Sequence, residues 1–109
     1  MNDNFRVNGI YGNENSLFFS SEKGILSNRD NKFIPSSLYF NNKVNDILLI
    51  NDNLYIATSG GLAIYDLIEE QLNNFYDFCF IRNIFELEQV DEFLVLITST
   101  GLIKLRLSL

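Results

Sequence analysis

Two groups of carboxylates are the densest chemistry-bearing residues of the chain: Asp66, Glu69 and Glu70, and then Glu86, Glu88, Asp91 and Glu92. Neighbouring carboxylates serve acid–base catalysis when their environments separate their pKa values, and they hold calcium when loop spacing converges their oxygens. Neither group has calcium-loop spacing. Both fall where hairpin tips are expected, so solvated charge is the simpler reading. Cys79 is the single cysteine, in the apolar run "FYDFCFI", and the chain contains no His. A thiol nucleophile needs a base, and His is also the commonest zinc ligand. Cys79 therefore reads as a buried, inert thiol, and no disulfide can form within the chain. Gly60-Gly61 lacks the following helix or Lys of a phosphate loop and reads as a turn. Lys43 and Arg82 lie on inter-repeat segments with Asn45 and Asn83, near turns bearing Ser59 and Ser99. Together these six residues mark a candidate partner-binding face, on which Lys43 and Arg82 could meet a carboxylate or phosphate, although solvated loop charge is the simpler reading of the two. No catalytic residue, metal site or cofactor is expected, and the chain reads as a non-enzyme.

Composition narrows the partners. The 109 residues are 47% hydrophobic, with ten Phe and five Tyr, enough to bury about 65% of the unfolded surface. Fourteen acidic against eight basic residues give a net charge of −6, which disfavours nucleic acid and anionic membrane. The polar start "MNDNFRVNGIYGNENS" does not read as a signal peptide. No apolar run approaches the roughly 20 residues of a spanning helix. A soluble protein, cytoplasmic or otherwise intracellular, is expected.

The elements that must carry these residues repeat. "NSLFFSSEKGILS", "NDNLYIATSGGLAIYDL" and "EFLVLITSTGLIKL" align on Gly24, Gly61 and Gly101. Leu17, Leu54 and Leu94 then coincide, as do Phe19, Ile56 and Leu96, and Ser21, Thr58 and Thr98. Upstream, "VNGI", "VNDI" and "IRNI" stand 37 residues apart, whereas the glycines are 37 and then 40 apart. A three-residue insertion around Glu88 to Asp91 would reconcile the two. A fixed period of 37–40 residues, with copies over 7–43, 44–80 and 81–109, marks a repeat architecture.

Each copy reads as strands cut by Asn, Asp and Gly turns, an all-β meander. "LFFS", "LYIA" and "LVLI" are apolar at successive positions, so sheets covered on both faces are expected. "SSLYFN" and "NNFYDF" occupy the place of an outer strand. "DLIEEQLNNF" also carries a helical alternative, with Asp66 as cap and Glu69 three residues on.

"LYIATSGGLAIYD" resembles the repeat of two-component-regulator β-propellers, and is similar to the LVIVD-type repeat and, more distantly, to the citron-homology propeller. The match is good over Asn51 to Asp66, moderate over Phe93 to Leu105 and poor over Ser16 to Ser27, and Tyr55 replaces the usual tryptophan. The resemblance implies a partial β-propeller and carries over no catalytic residue. Propellers close with four to eight blades, so just under three leave two open faces. The expectation is a protein–protein interaction module completed by another subunit or by a second copy, a dimer giving six blades. Phe5, Leu105 and Leu107 would mark its oligomer edge. A lectin-like small-ligand propeller and a fragment of a sensory propeller are the alternatives.

Overall fold

Short apolar runs interrupted every few residues by turn formers leave the backbone the two-residue period of strands. A computed structural model of the chain describes residues 6–12, 15–29, 31–77 and 83–107. Gly9–Gly12 (β1), Leu17–Ser20 (β2), Gly24–Ser27 (β3) and Phe33–Pro35 (β4) form a first antiparallel sheet. Val44–Ile50 (β5), Asn53–Thr58 (β6), Leu62–Asp66 (β7) and Gln71–Tyr76 (β8) form a central one. Ile84–Val90 (β9), Phe93–Thr98 (β10) and Gly101–Arg106 (β11) form the third. Every sheet runs in chain order, so the fold is all-β, three blade-like meanders that do not close into a ring. Among the described residues no helix is long and apolar enough to cross a membrane.

The three sheets stack face to face. Phe18, Ile25 and Ile34 of the first sheet meet Ile47, Leu54, Ile56 and Tyr65 of the central sheet. The opposite face of the central sheet presents Ala57 and Leu62 to Ile84, Leu87, Leu94 and Leu96 of the third. Each fully buried Leu or Ile here contributes about 1.5–3 kcal/mol relative to exposure. Among the described residues, only the central sheet is covered on both sides. In β2 and β10 burial alternates, because Leu17, Phe19, Phe93, Val95 and Ile97 face away from the stack and remain half-buried. The expectation of double coverage thus holds for β6 alone, and the reason is position in the stack.

One turn device recurs three times. The Thr58 hydroxyl donates to the Gly61 carbonyl (2.7 Å) and accepts from the Gly60 and Gly61 amides. Thr98 donates to the Gly101 carbonyl (2.7 Å), and Ser21 to the Gly24 carbonyl (3.2 Å). All three hydroxyls are buried, so these bonds satisfy groups that water does not reach. The glycines adopt φ of +151°, +153° and +135°. Gly24 and Gly61 also lie under the carbonyls of Ile34 and Tyr76 in the outer strands, whereas a Cβ at Gly101 would meet nothing within 4 Å.

Two details differ from the sequence reading, and one alternative it left open is decided. Ile47 pairs with Ile56 and Leu87 with Leu96, so "IFEL" at Ile84–Leu87, not "IRNI", stands in register with "VNDI". The insertion accordingly precedes Ile84; β9 and β5 are both seven residues long and lead into equivalent two-residue turns. The outer strand of the first sheet is "FIP", and Ser36–Tyr39 forms a 3-10 turn that drops Tyr39 into the core. Pro35 at its head lacks the amide that would continue the ladder. The helical alternative at Asp66 resolves as a tight turn: its carboxylate accepts from the Ile68 and Glu69 amides, and Glu70 at φ 56° reverses the chain into β8.

Two expectations follow from this packing. Gly61→Ala should destabilise the fold by at least about 1 kcal/mol more than Gly101→Ala in denaturant unfolding, because both strain the backbone but only the first drives a methyl into a carbonyl. Tyr39 is buried with its hydroxyl unpaired, and burial pushes its pKa up to about 12. Its neutral form is favoured in the fold, so the associated stability is complete below about pH 10 and is lost as pH rises towards 12. Tyr39→Phe should leave stability unchanged or raised at pH 7 and reduce the alkaline loss, read by denaturant unfolding at pH 7 and pH 11.

Candidate functional site

The turn-bearing side of the first two sheets holds a polar cleft of about 620 Å³, between Asn8, Ser20, Glu22, Asn42 and Lys43. Lys43 is fixed there by its backbone: its amide donates to the Ser59 hydroxyl (3.2 Å) and its carbonyl accepts from the Ser59 amide (2.9 Å). The same link recurs one sheet on, where the Ser99 amide donates to the Asn83 carbonyl (3.2 Å). Asn45 joins the two by donating to the Ile84 carbonyl (2.9 Å) and the Asn83 side chain (3.4 Å). The structure therefore brings Lys43, Ser59, Asn45, Asn83 and Ser99 into one chain of contacts, but these bonds hold sheets together. Arg82 and Cys79 lie outside the described residues. Beside the cleft, the Ser20 hydroxyl is buried without a partner. Such a lining can hydrogen-bond a small polar ligand.

The carboxylates are spread over hairpin tips and strand faces. Asp66 caps its turn, Glu70 pairs with Lys32 (3.2 Å), and Glu92 pairs with Arg106. Among the described residues no three His, Cys, Asp or Glu side chains are grouped to hold a metal. Glu86 differs: hydrogen bonding to Glu88, then desolvation and the nearby charges of Glu88 and Asp46, raise its carboxyl above the usual range.

Asp46 is the residue that sequence reasoning missed. One carboxylate oxygen accepts from the Ile47 amide (2.9 Å) and the other from the Leu87 amide (2.8 Å), across the junction between the central and third sheets. Asp46 sits at the head of β5 beside a bulge between Val44 and Asp46, which aims its side chain at the neighbouring sheet. Its place in "VNDI" was visible in the sequence, but its partner is 41 residues away.

Two sheet faces remain uncovered by the stack. On the first sheet, Ile10, Phe19, Leu26 and Phe33 form one cross-strand row, with Ile10 62% exposed. On the third, Phe93, Val95 and Ile97 run down β10 between Glu86, Glu88 and Val90 of β9 and Leu102, Lys104 and Arg106 of β11. Lys104 lies 4.5 Å above the Phe93 ring. β11 is one of the two edge strands of its sheet, with β9 the other. The side chains of Leu105 and Leu107 turn inward and pack against the central sheet, so any edge pairing there would use backbone groups. Phe5 lies outside the described residues.

Asp46→Ala should destabilise the chain by about 1.5–3 kcal/mol in denaturant unfolding, since two partly buried amides lose a charged acceptor, whereas Glu92→Ala, exposed at a tip, should cost under about 1 kcal/mol. No protein-family model matches the chain and no curated protein matches it, so its function is read from its own geometry.

Proposed function

We propose that the chain is a partial β-propeller, with repeats of the two-component-regulator type, that works as a non-enzymatic protein-interaction module. Its ring is completed from outside, by a second copy of the chain or by another protein subunit. One repeat position supports this reading above all. Ile25 and Leu62 face the following sheet and are 0% exposed, while the equivalent Leu102 is 72% exposed. The backward faces tell the same story: Leu54, Ile56, Leu94 and Leu96 are fully buried, while Leu17 and Phe19 of the first sheet are half-buried. Exposed apolar rows of this kind, rimmed on the third sheet by Glu86, Glu88, Lys104 and Arg106, mark docking surfaces or aggregation liabilities. Three blades are half of a six-bladed ring, which two copies would close with two-fold symmetry.

A second reading, a small-ligand propeller, is supported by the polar cleft and the unpartnered Ser20 hydroxyl beside it. The copies differ at the equivalent turns, "SEKG", "TSGG" and "TSTG", which weighs against one pocket per blade.

Light scattering across a concentration series, on the natural chain and on Leu102→Glu, tests the docking reading. Self-association of the natural chain, as a dimer or as poorly soluble aggregates, with the substitution shifting the population towards monomer, is the expected result. A natural chain that stays a soluble monomer at high concentration, and behaves identically to Leu102→Glu, would overturn it.

A further inference from the structure

We infer that Glu86 is the residue that docks the third sheet onto the first sheet of a second copy, by accepting a hydrogen bond from the amide of Ile10 in that copy. The inference rests on the docking reading above and specifies its partner and contact. It follows from strand register. Asp46 pairs with Ala57 in β5–β6, and Glu86 pairs with Ile97 in β9–β10. Ala57 and Ile97 are equivalent, each one residue ahead of the turn threonines Thr58 and Thr98. Glu86 is thus to the third sheet what Asp46 is to the central one. The acceptors find equivalent donors: Leu87 pairs with Leu96, and Ile10 pairs with Phe19, the position of Leu96 in the first copy.

Asp46 shows what a carboxylate does at this position, because it takes the Leu87 amide of the next sheet at 2.8 Å. The first sheet carries Gly9 here, and Gly9 pairs with Ser20 as Asp46 pairs with Ala57. With no carboxylate coming from the first sheet, Asp46 also takes the amide of its own neighbour Ile47. Ile10 follows Gly9, so no acidic side chain of its own strand stands in the place that Asp46 holds beside Ile47. The first sheet lacks the acceptor and the third presents one on its open face. Around that contact, Leu102 and Val95 of one copy would cover Leu17 and Phe19 of the other, as Leu62 and Tyr55 of the central sheet pack with Leu94 and Leu96. Both junctions within the chain already have this forward-on-backward geometry, and repeating it twice closes six blades.

Sedimentation equilibrium on the full chain, with Glu86→Ala and Glu69→Ala, tests the contact. The expected result is a natural dimer whose Kd rises at least about tenfold in Glu86→Ala and changes little in Glu69→Ala, at an exposed turn, with unfolding midpoints of the monomers unaltered. A natural dimer that Glu86→Ala leaves as tight as before would overturn the role of Glu86 and leave the ring standing. A natural chain that does not dimerise would overturn the inference outright. The wider docking reading would then be judged separately, by whether Leu102→Glu relieves association of another kind.

Discussion

A β-sheet whose two faces are both apolar is stable in water only when it is covered twice, and this requirement organises the molecule. The central sheet meets it, with Leu54 and Ile56 turned one way and Tyr55 and Ala57 the other. The flanking sheets cover it and are built from the same repeat, so each carries an outward apolar row, Ile10, Phe19, Leu26 and Phe33 on the first sheet and Phe93, Val95, Ile97 and Leu102 on the third, where charged residues flank it. Burial of the central sheet and exposure of the outer faces are one fact seen from two sides. Any stack of identical two-faced units ends in open faces unless it curves into a ring or is capped by a different surface.

Within each unit the turns do what the faces cannot, which is to set register. A buried hydroxyl three residues ahead of a positive-φ glycine ties the middle strand to its successor in all three copies, through Ser21, Thr58 and Thr98. A slip of one residue would turn every apolar side chain to the other face, so these bonds hold the pattern that burial requires. Between units the links differ. Lys32 reaches the Leu67 carbonyl (2.9 Å) and Glu70 across the first junction, near the outer strands. Asp46 and Asn45 cross the second near the inner strands. Repeats that share packing need not share polar contacts, because each junction satisfies whichever backbone groups its own bulges and loops expose.

Much of this was legible in the sequence, and what was not has physical causes. Strands and turns are local, so the short apolar runs, the Asn-Asp turns and the hydroxyl–glycine pair were readable residue by residue, whereas the alternating burial of β2 and β10 was not, because it depends on place in the stack. The insertion was misplaced because "IRNI" looks like "VNDI" in composition, while the true register is set by the turns at Asn51-Asp52 and Asp91-Glu92, which close hairpins of equal length. "SSLYF" has strand-like residues, yet it follows Pro35 and winds once to bury Tyr39. Of the polar residues singled out on the turn-bearing side, five do meet in space, and backbone hydrogen bonds do most of the joining. The more informative Asp46 went unnoticed because its meaning depends on an amide of the neighbouring sheet. That two faces would be left open followed from counting copies; which side chains line them followed only from the stacking order.

The account turns on whether the exposed face of the third sheet is buried once the protein assembles. The most direct measurement is the rate of thiol alkylation at residue 102 in a Leu102→Cys, Cys79→Ser chain, against an Ile68→Cys, Cys79→Ser control at an exposed turn position. The account predicts that the thiol at 102 reacts much more slowly than the control at high protein concentration, and that the protection fades on dilution. Equal and concentration-independent rates at the two positions would mean that the face stays in water, and would contradict it.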